Sequence, residues 1–137
     1  MSTPENLLDF VGRLMMSAIF LVVGAQQALN LETTRAYMDI HGVMSAFLPI
    51  AIMLELAGAV AIVIGYRTRI FAFLLAGFSI MTAVLFHADL ANPAEFGLFV
   101  RDLALAGGML VLCARGPGDW TLDVRTTALN APSHGQA

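Results

Sequence analysis

Four long apolar stretches dominate this sequence: Phe10 to Leu29, Leu48 to Tyr66, Ile70 to Leu90 and Leu98 to Ala114. Each is close to the ~20 residues that an α-helix needs to cross a hydrocarbon core about 30 Å thick. They are apolar around the whole circumference rather than along one stripe, as helices surrounded by lipid and by one another require. Strands of a membrane β-barrel would alternate in polarity at every second residue, and these stretches do not. The expected fold is therefore all-α, an integral membrane four-helix bundle.

Composition points the same way. A soluble domain is about 45–50% apolar and about 25% charged. This chain of 137 residues is 58% hydrophobic and 12% charged, with a mean hydropathy of +0.79. So short a chain exposes a large share of its surface, so the apolar excess must face lipid. The formal net charge is −3 and there is no lysine, which argues against nucleic acid as a partner. One cysteine, Cys113, excludes an internal disulfide and a CxxC redox pair.

The punctuation between the stretches is consistent with this reading. Pro49 suits the first turn of the second span, where no N–H is needed. Gly65-Tyr66-Arg67-Thr68-Arg69 forms a short turn, Asn92-Pro93 interrupts the chain, and Gly116-Pro117-Gly118 ends the fourth span. Residues 1–9 read as an N-terminal segment, 10–115 as the bundle and 116–137 as a tail, expected to be disordered from about Asn130. The loop from Asn30 to Phe47 is either irregular or holds a short interfacial helix from Thr34 to Ile40. A cleaved leader built on Leu14 to Val23 is the weaker reading of the first span, because Glu5 and Asp9 spoil its positive flank.

Arginine bias sets the expected orientation. With four spans, Arg13, Arg67, Arg69, Arg115 and Arg125 share one side, against Arg35 and Arg101 on the other. Both termini are therefore expected in the cytoplasm. In that frame Glu55 lies roughly 9 Å into the second span from the outer side, counting about 1.5 Å per residue. His87 falls near the outer end of the third span, Arg101 and Asp102 in the first turns of the fourth, and Gln26 and Gln27 near the end of the first. Ionisable groups inside spans are costly and mark candidate sites. These six residues form one outward layer and are the candidate binding residues; no catalytic residue can be named.

Each has a structural alternative. Glu55 and Arg101 can pair as glue between helices, and Arg101 can instead reach the headgroups. His87 can meet interfacial water, Asp102 can answer a helix dipole, and the glutamines can bond between helices. One Glu and one His do not make a metal site. Asp9 and Arg13 read as an i,i+4 pair at the inner surface. Gly58, Gly107 and Gly108 read as places where helices approach closely.

The order of motifs resembles the DoxX family of small four-span membrane proteins. The matching stretches are Arg13-Leu14 with Ile19-Phe20-Leu21 and Gly24, then His41-Gly42, then Leu54-Glu55-Leu56-Ala57-Gly58 with Gly65 and Arg67-Thr68-Arg69. Phe86-His87, Leu103-Ala104-Leu105-Ala106-Gly107-Gly108, Gly116-Pro117-Gly118 and Leu122-Asp123 follow. The family commonly has a lysine where Gln27 stands, and often one where Arg101 stands, so only the second cation is kept. The resemblance implies a bacterial inner (plasma) membrane location. It also implies a link to redox systems, since relatives include a subunit of a thiosulfate:quinone oxidoreductase and membrane partners in oxidative-stress assemblies.

Three functions follow as expectations. The first is a redox-linked membrane subunit, associated with a quinone or an oxidative-stress system, with quinone as the candidate cofactor. The second is a non-catalytic anchor or assembly partner for another protein; a protein partner or a homo-oligomer is expected in either case, besides the lipid bilayer. The third is a small-molecule transporter, which the off-centre polar layer disfavours, because alternating access favours a site near the midplane.

Overall fold

The computed structural model describes residues 2–123. The tail from Asn130, expected to be disordered, and Arg125 lie outside the described residues. The described residues form five α-helices: α1 (Thr3–Leu29), α2 (Leu31–Ile40), α3 (Leu48–Ile64), α4 (Thr68–Phe86) and α5 (Pro93–Arg115), with a 3₁₀ turn at Ser45–Phe47 leading into α3. Helices α1, α4 and α5, and the stretch Ser45–Ile64, are long and apolar enough to cross a membrane. The chain is thus an integral membrane four-helix bundle, with α2 as an additional short helix on its loop end.

Local chemistry sets the helix ends. The Ser2 N–H donates to the Glu5 carboxylate at 2.7 Å, and Pro4 sits in the first turn of α1. Asn92 caps α5 by accepting from the Ala94 N–H at 3.0 Å, with Pro93 at the first helical position. Asn-Pro is therefore a helix start, and α5 begins about a turn and a half before Leu98, where hydropathy alone places it. The short helix α2 is present and begins at Leu31, ahead of Thr34, because the Asn30 carbonyl already accepts the Thr34 N–H at 3.0 Å.

Packing is closest between α4 and α5 and between α1 and α3, with α3 against α4 joining the two pairs. The core they enclose is made of small and medium residues, including Phe20, Ala59, Ile62, Ala72, Leu75 and Met109. Small residues let backbones approach where lipid supplies no hydrophobic drive. A Cβ on Gly24 would stand 3.0 Å from Leu56 and 3.2 Å from the Glu55 Cβ, so this glycine lets α1 lie directly on the part of α3 that carries Glu55. Gly58 meets Leu75 and Gly108 meets Met16 in the same way, but Gly107 has open space around it. Its expected role in close packing is corrected: it is turned about 100° away from Gly108 and faces outward.

The end of the bundle that holds both the start of α1 and the segment after α5 is fastened by polar contacts. Arg13 forms the expected i,i+4 pair with Asp9, and it is buried, with 1% of its side chain exposed. Its guanidinium donates to Asp9 at 2.9 Å, to the carbonyls of Ile62 and Val63 at 3.0 and 2.9 Å, and to the carbonyl of Trp120 at 3.1 Å. Ile62 and Val63 belong to the last turn of α3, whose carbonyls have no partner within the helix. Gly65 ends that helix at φ +72°, and a Cβ there would collide with Thr121. The Asp123 carboxylate in turn accepts the N–H groups of Arg67 (2.7 Å) and Thr68 (2.9 Å) at the start of α4. The Asp123 N–H also donates to the Gly65 carbonyl at 2.9 Å, so the segment after α5 ties the end of α3 to the start of α4.

Replacing Arg13 by Met should strand three carbonyls and the Asp9 carboxylate. Breaking a buried charged network costs about 3–5 kcal/mol. Arg13→Met is expected to lower the unfolding midpoint in detergent, followed by circular dichroism, well below that of Arg13→Lys, which keeps the charge and part of the bonding.

Candidate functional site

At the opposite end of the bundle lies a cavity of about 480 Å³, walled by α1 to α5. That volume lies in the range of ~300–1,000 Å³ common for small-molecule sites. Most of the wall is apolar, including Ile19, Phe20, Leu54, Phe78 and Leu105. The polar side chains on it are few: Gln27, Thr34, Tyr37, Glu55, Ser79, Thr82, Arg101 and Asp102.

Of the six residues singled out in the sequence, Gln27, Glu55, Arg101 and Asp102 line this cavity. His87 is not on the wall but stands behind Asp102, its Nε2 3.9 Å from the Asp102 Oδ2. Gln26 is exposed and lies apart from the cavity; neighbouring residues of one helix point about 100° apart, so Gln26 and Gln27 cannot both face inward. Glu55 is 3% exposed and Asp102 4%.

Arg101 does not pair with Glu55. Its Nε and Nη2 both donate to the Asp102 Oδ1, at 2.9 and 2.8 Å. This leaves acceptors without donors. Among the described residues, four buried side-chain oxygens lack a hydrogen-bond partner, and three of them belong to the cavity wall: Gln27 Oε1, Glu55 Oε2 and Asp102 Oδ2. Buried polar groups are almost always bonded, so unpartnered ones mark strain or a place for a ligand. Unpartnered acceptors on three residues of one apolar wall suit a ligand that donates hydrogen bonds.

Two features were not visible in the sequence reading. Glu95 accepts or shares a proton with the His87 Nδ1 at 2.7 Å. Beginning the fourth span at Leu98 left Glu95 in a loop, whereas the Asn92 cap puts it in the first turn of α5, eight residues past His87. The second is the aromatic group over the cavity. The Tyr37 ring stacks on Phe86 with centroids 5.6 Å apart and lies 4.3 Å from the His41 ring. Helix α2 is held by this contact across one side of the cavity.

The sequence profile of the DoxX family matches residues 8–88. The chain belongs to the DoxX family. It is similar to the inner membrane protein YqjF of Escherichia coli (strain K12), with 35% identity over 123 residues that cover 90% of this chain and 95% of that protein. It is also similar to the inner membrane protein YphA of the same organism, with 30% identity over 123 residues covering 84% and 87% of the two chains. No solved structure matches it. With four spans and these relatives, this DoxX-family chain is a multi-pass protein of the bacterial inner membrane. The profile match ends after His87, so Glu95, Arg101 and Asp102 lie beyond it.

Tyr37 reports on how α2 is seated. Burial raises its phenol above the usual value near 10, and the Glu95 carboxylate adds to the rise. A raised phenol keeps its proton longer in the folded state, so any stability it contributes is present at neutral pH and lost as pH climbs through the raised value. In a Tyr66→Phe background, which leaves one tyrosine, near-ultraviolet titration should show Tyr37 ionising above 10. Adding Glu95→Gln should bring it back down; no movement would place Glu95 away from α2.

Proposed function

We propose that this chain is a redox-linked membrane subunit whose cavity binds a lipid-soluble quinone carrier, preferentially in its hydroxyl-bearing quinol form. The observation that carries this reading is the pair of unpartnered acceptors, Glu55 Oε2 and Gln27 Oε1, on residues of an otherwise apolar wall. A quinone offers only carbonyl acceptors at its ring, whereas a quinol offers two hydroxyl donors. Its apolar ring and tail suit Phe20, Leu54 and Phe78, and a ligand of this kind can reach the cavity through the bilayer.

A bound quinol supplies two electrons and two protons on oxidation to quinone, the electrons passing to a redox-active partner protein. The residues of this chain have the other duties. Glu55 and Gln27 accept the hydroxyl groups, and Glu55 and Asp102 take up the protons. Arg101, held on Asp102, keeps the pair of carboxylates from carrying two uncompensated charges in a low-dielectric setting. The apolar wall excludes water, which strengthens each of these contacts. Arginine bias supports both termini in the cytoplasm, which puts the cavity in the outer leaflet.

The test is binding of a short-chain ubiquinol to the purified protein in nanodiscs, followed by calorimetry, in the wild type and in Glu55→Gln. A buried group left without its hydrogen-bond partner costs about 1–3 kcal/mol, so the variant should bind roughly tenfold more weakly, ~1.4 kcal/mol being a factor of ten. Equal affinity in both proteins, or tighter binding of the quinone than of the quinol by the wild type, contradicts the reading.

A further inference from the structure

We infer that Glu95, His87 and Asp102 form a proton path between water at the loop end of the bundle and Glu55 in the cavity; this deepens the reading of the cavity as a quinol site and rests on it for its physiological purpose. Exposure falls steadily along the row. The Glu95 side chain is 28% exposed, that of His87 9% and that of Asp102 6%, and Glu55 is 3% exposed as a residue. The row therefore runs from solvent to the cavity wall. Asp102 and Glu55 are both buried and line the same cavity.

Histidine is suited to the middle position because its two ring nitrogens face different partners. Nδ1 lies 2.7 Å from Glu95 Oε2, a hydrogen bond. Nε2 faces Asp102 Oδ2 at 3.9 Å. That is beyond the ~3.2 Å limit of a good hydrogen bond, and one bridging water or a small ring rotation closes such a gap. For release, Asp102 passes a proton taken from Glu55 to Nε2, and the Nδ1 proton leaves to Glu95 and on to water. Uptake runs the same steps in reverse. Each transfer breaks one N–H or O–H bond and forms another, and no electrons move.

The surroundings favour a path rather than a static ion pair. The oxygen that Asp102 turns toward His87 is the one that Arg101 leaves unbonded: Arg101 holds Oδ1, and Oδ2 has no hydrogen bond. A purely structural pair would close that contact. The other ionisable groups on the elements around His87 are Arg101 on α5, Glu55 on α3, Asp89 in the loop that follows, Tyr37 on α2 and His41 just after it, the last two in ring contact with Phe86. Only Glu95 and Asp102 are within 4.0 Å of the imidazole as ion-pair partners among the described residues.

The experiment is a pH jump on the purified protein in nanodiscs, with the Glu55 carboxyl followed by infrared absorption and identified as the band missing in Glu55→Gln. A positioned acid–base group contributes roughly 10²-fold or more in rate. His87→Ala is therefore expected to slow the Glu55 response by about that factor, with added imidazole restoring it, a rescue that a merely structural histidine would not give. Glu95→Gln, at the partly exposed end and so tolerated by the fold, should also slow it. An unchanged rate in Glu95→Gln, or a slow His87→Ala that imidazole does not restore, overturns the path. Because no quinol is added, the result is independent of ligand binding: a failed ubiquinol titration with a His87-dependent rate removes the quinol reading and leaves the path standing.

Discussion

A buried guanidinium holds one end of this bundle together. In lipid, a backbone carbonyl without a partner has no water to turn to, and the C-terminal turn of α3 presents such carbonyls at Ile62 and Val63. Arg13 reaches them from α1 and takes the Trp120 carbonyl as well. One side chain thereby joins α1, α3 and the segment after α5. Its charge is balanced by Asp9, which also accepts the Gly118 N–H at 3.3 Å. Asp123 completes the fastening by capping α4. With this end tied, the other end can hold a cavity without the bundle coming apart.

The cavity reverses the logic of the Arg13 end. There, every nitrogen of a buried cation has an acceptor; here, buried acceptors lack donors. Arg101 is the one cation on the wall and spends its bonds on a single oxygen of Asp102. Leaving Glu55 and Asp102 incompletely bonded costs stability, since each unsatisfied buried polar group costs about 1–3 kcal/mol. Such a cost is sensible where a ligand or a travelling proton completes the bonding. The position of Gln27 fits this account: where the family commonly has a lysine, this chain has an amide whose oxygen adds a further acceptor to the wall.

How much of this could be read from the sequence follows from what each signal depends on. Span number and helix class depend on hydropathy summed over about 20 residues, and all four spans are present as helices. The layer containing Glu55, Arg101, Asp102 and Gln27 follows from counting residues along spans of alternating direction, and the structure puts these four on one cavity. Finer details depend on rotation and on helix ends, which hydropathy does not encode. Depth in the membrane says nothing about which way a residue faces, so it groups Gln26 with Gln27 and Gly107 with Gly108. Asn92-Pro93 reads as a break as readily as a cap, and only the cap brings Glu95 into α5. The i,i+4 spacing shows the Arg13–Asp9 pair; the other acceptors of Arg13 are backbone carbonyls 49, 50 and 107 residues away, and main-chain acceptors leave no mark in a sequence.

The central claim is that a quinol-type carrier sits in this cavity against Glu55. Photolabelling of the protein in native membranes with an arylazido-quinol, followed by peptide mapping, tests it most directly. The account predicts labels on cavity-facing residues of α3, α4 and α5, such as Leu54, Phe78 and Leu105, that an excess of unlabelled ubiquinol suppresses. Labels confined to lipid-facing residues such as Phe73 and Val111, or labels that ubiquinol does not suppress, would contradict it.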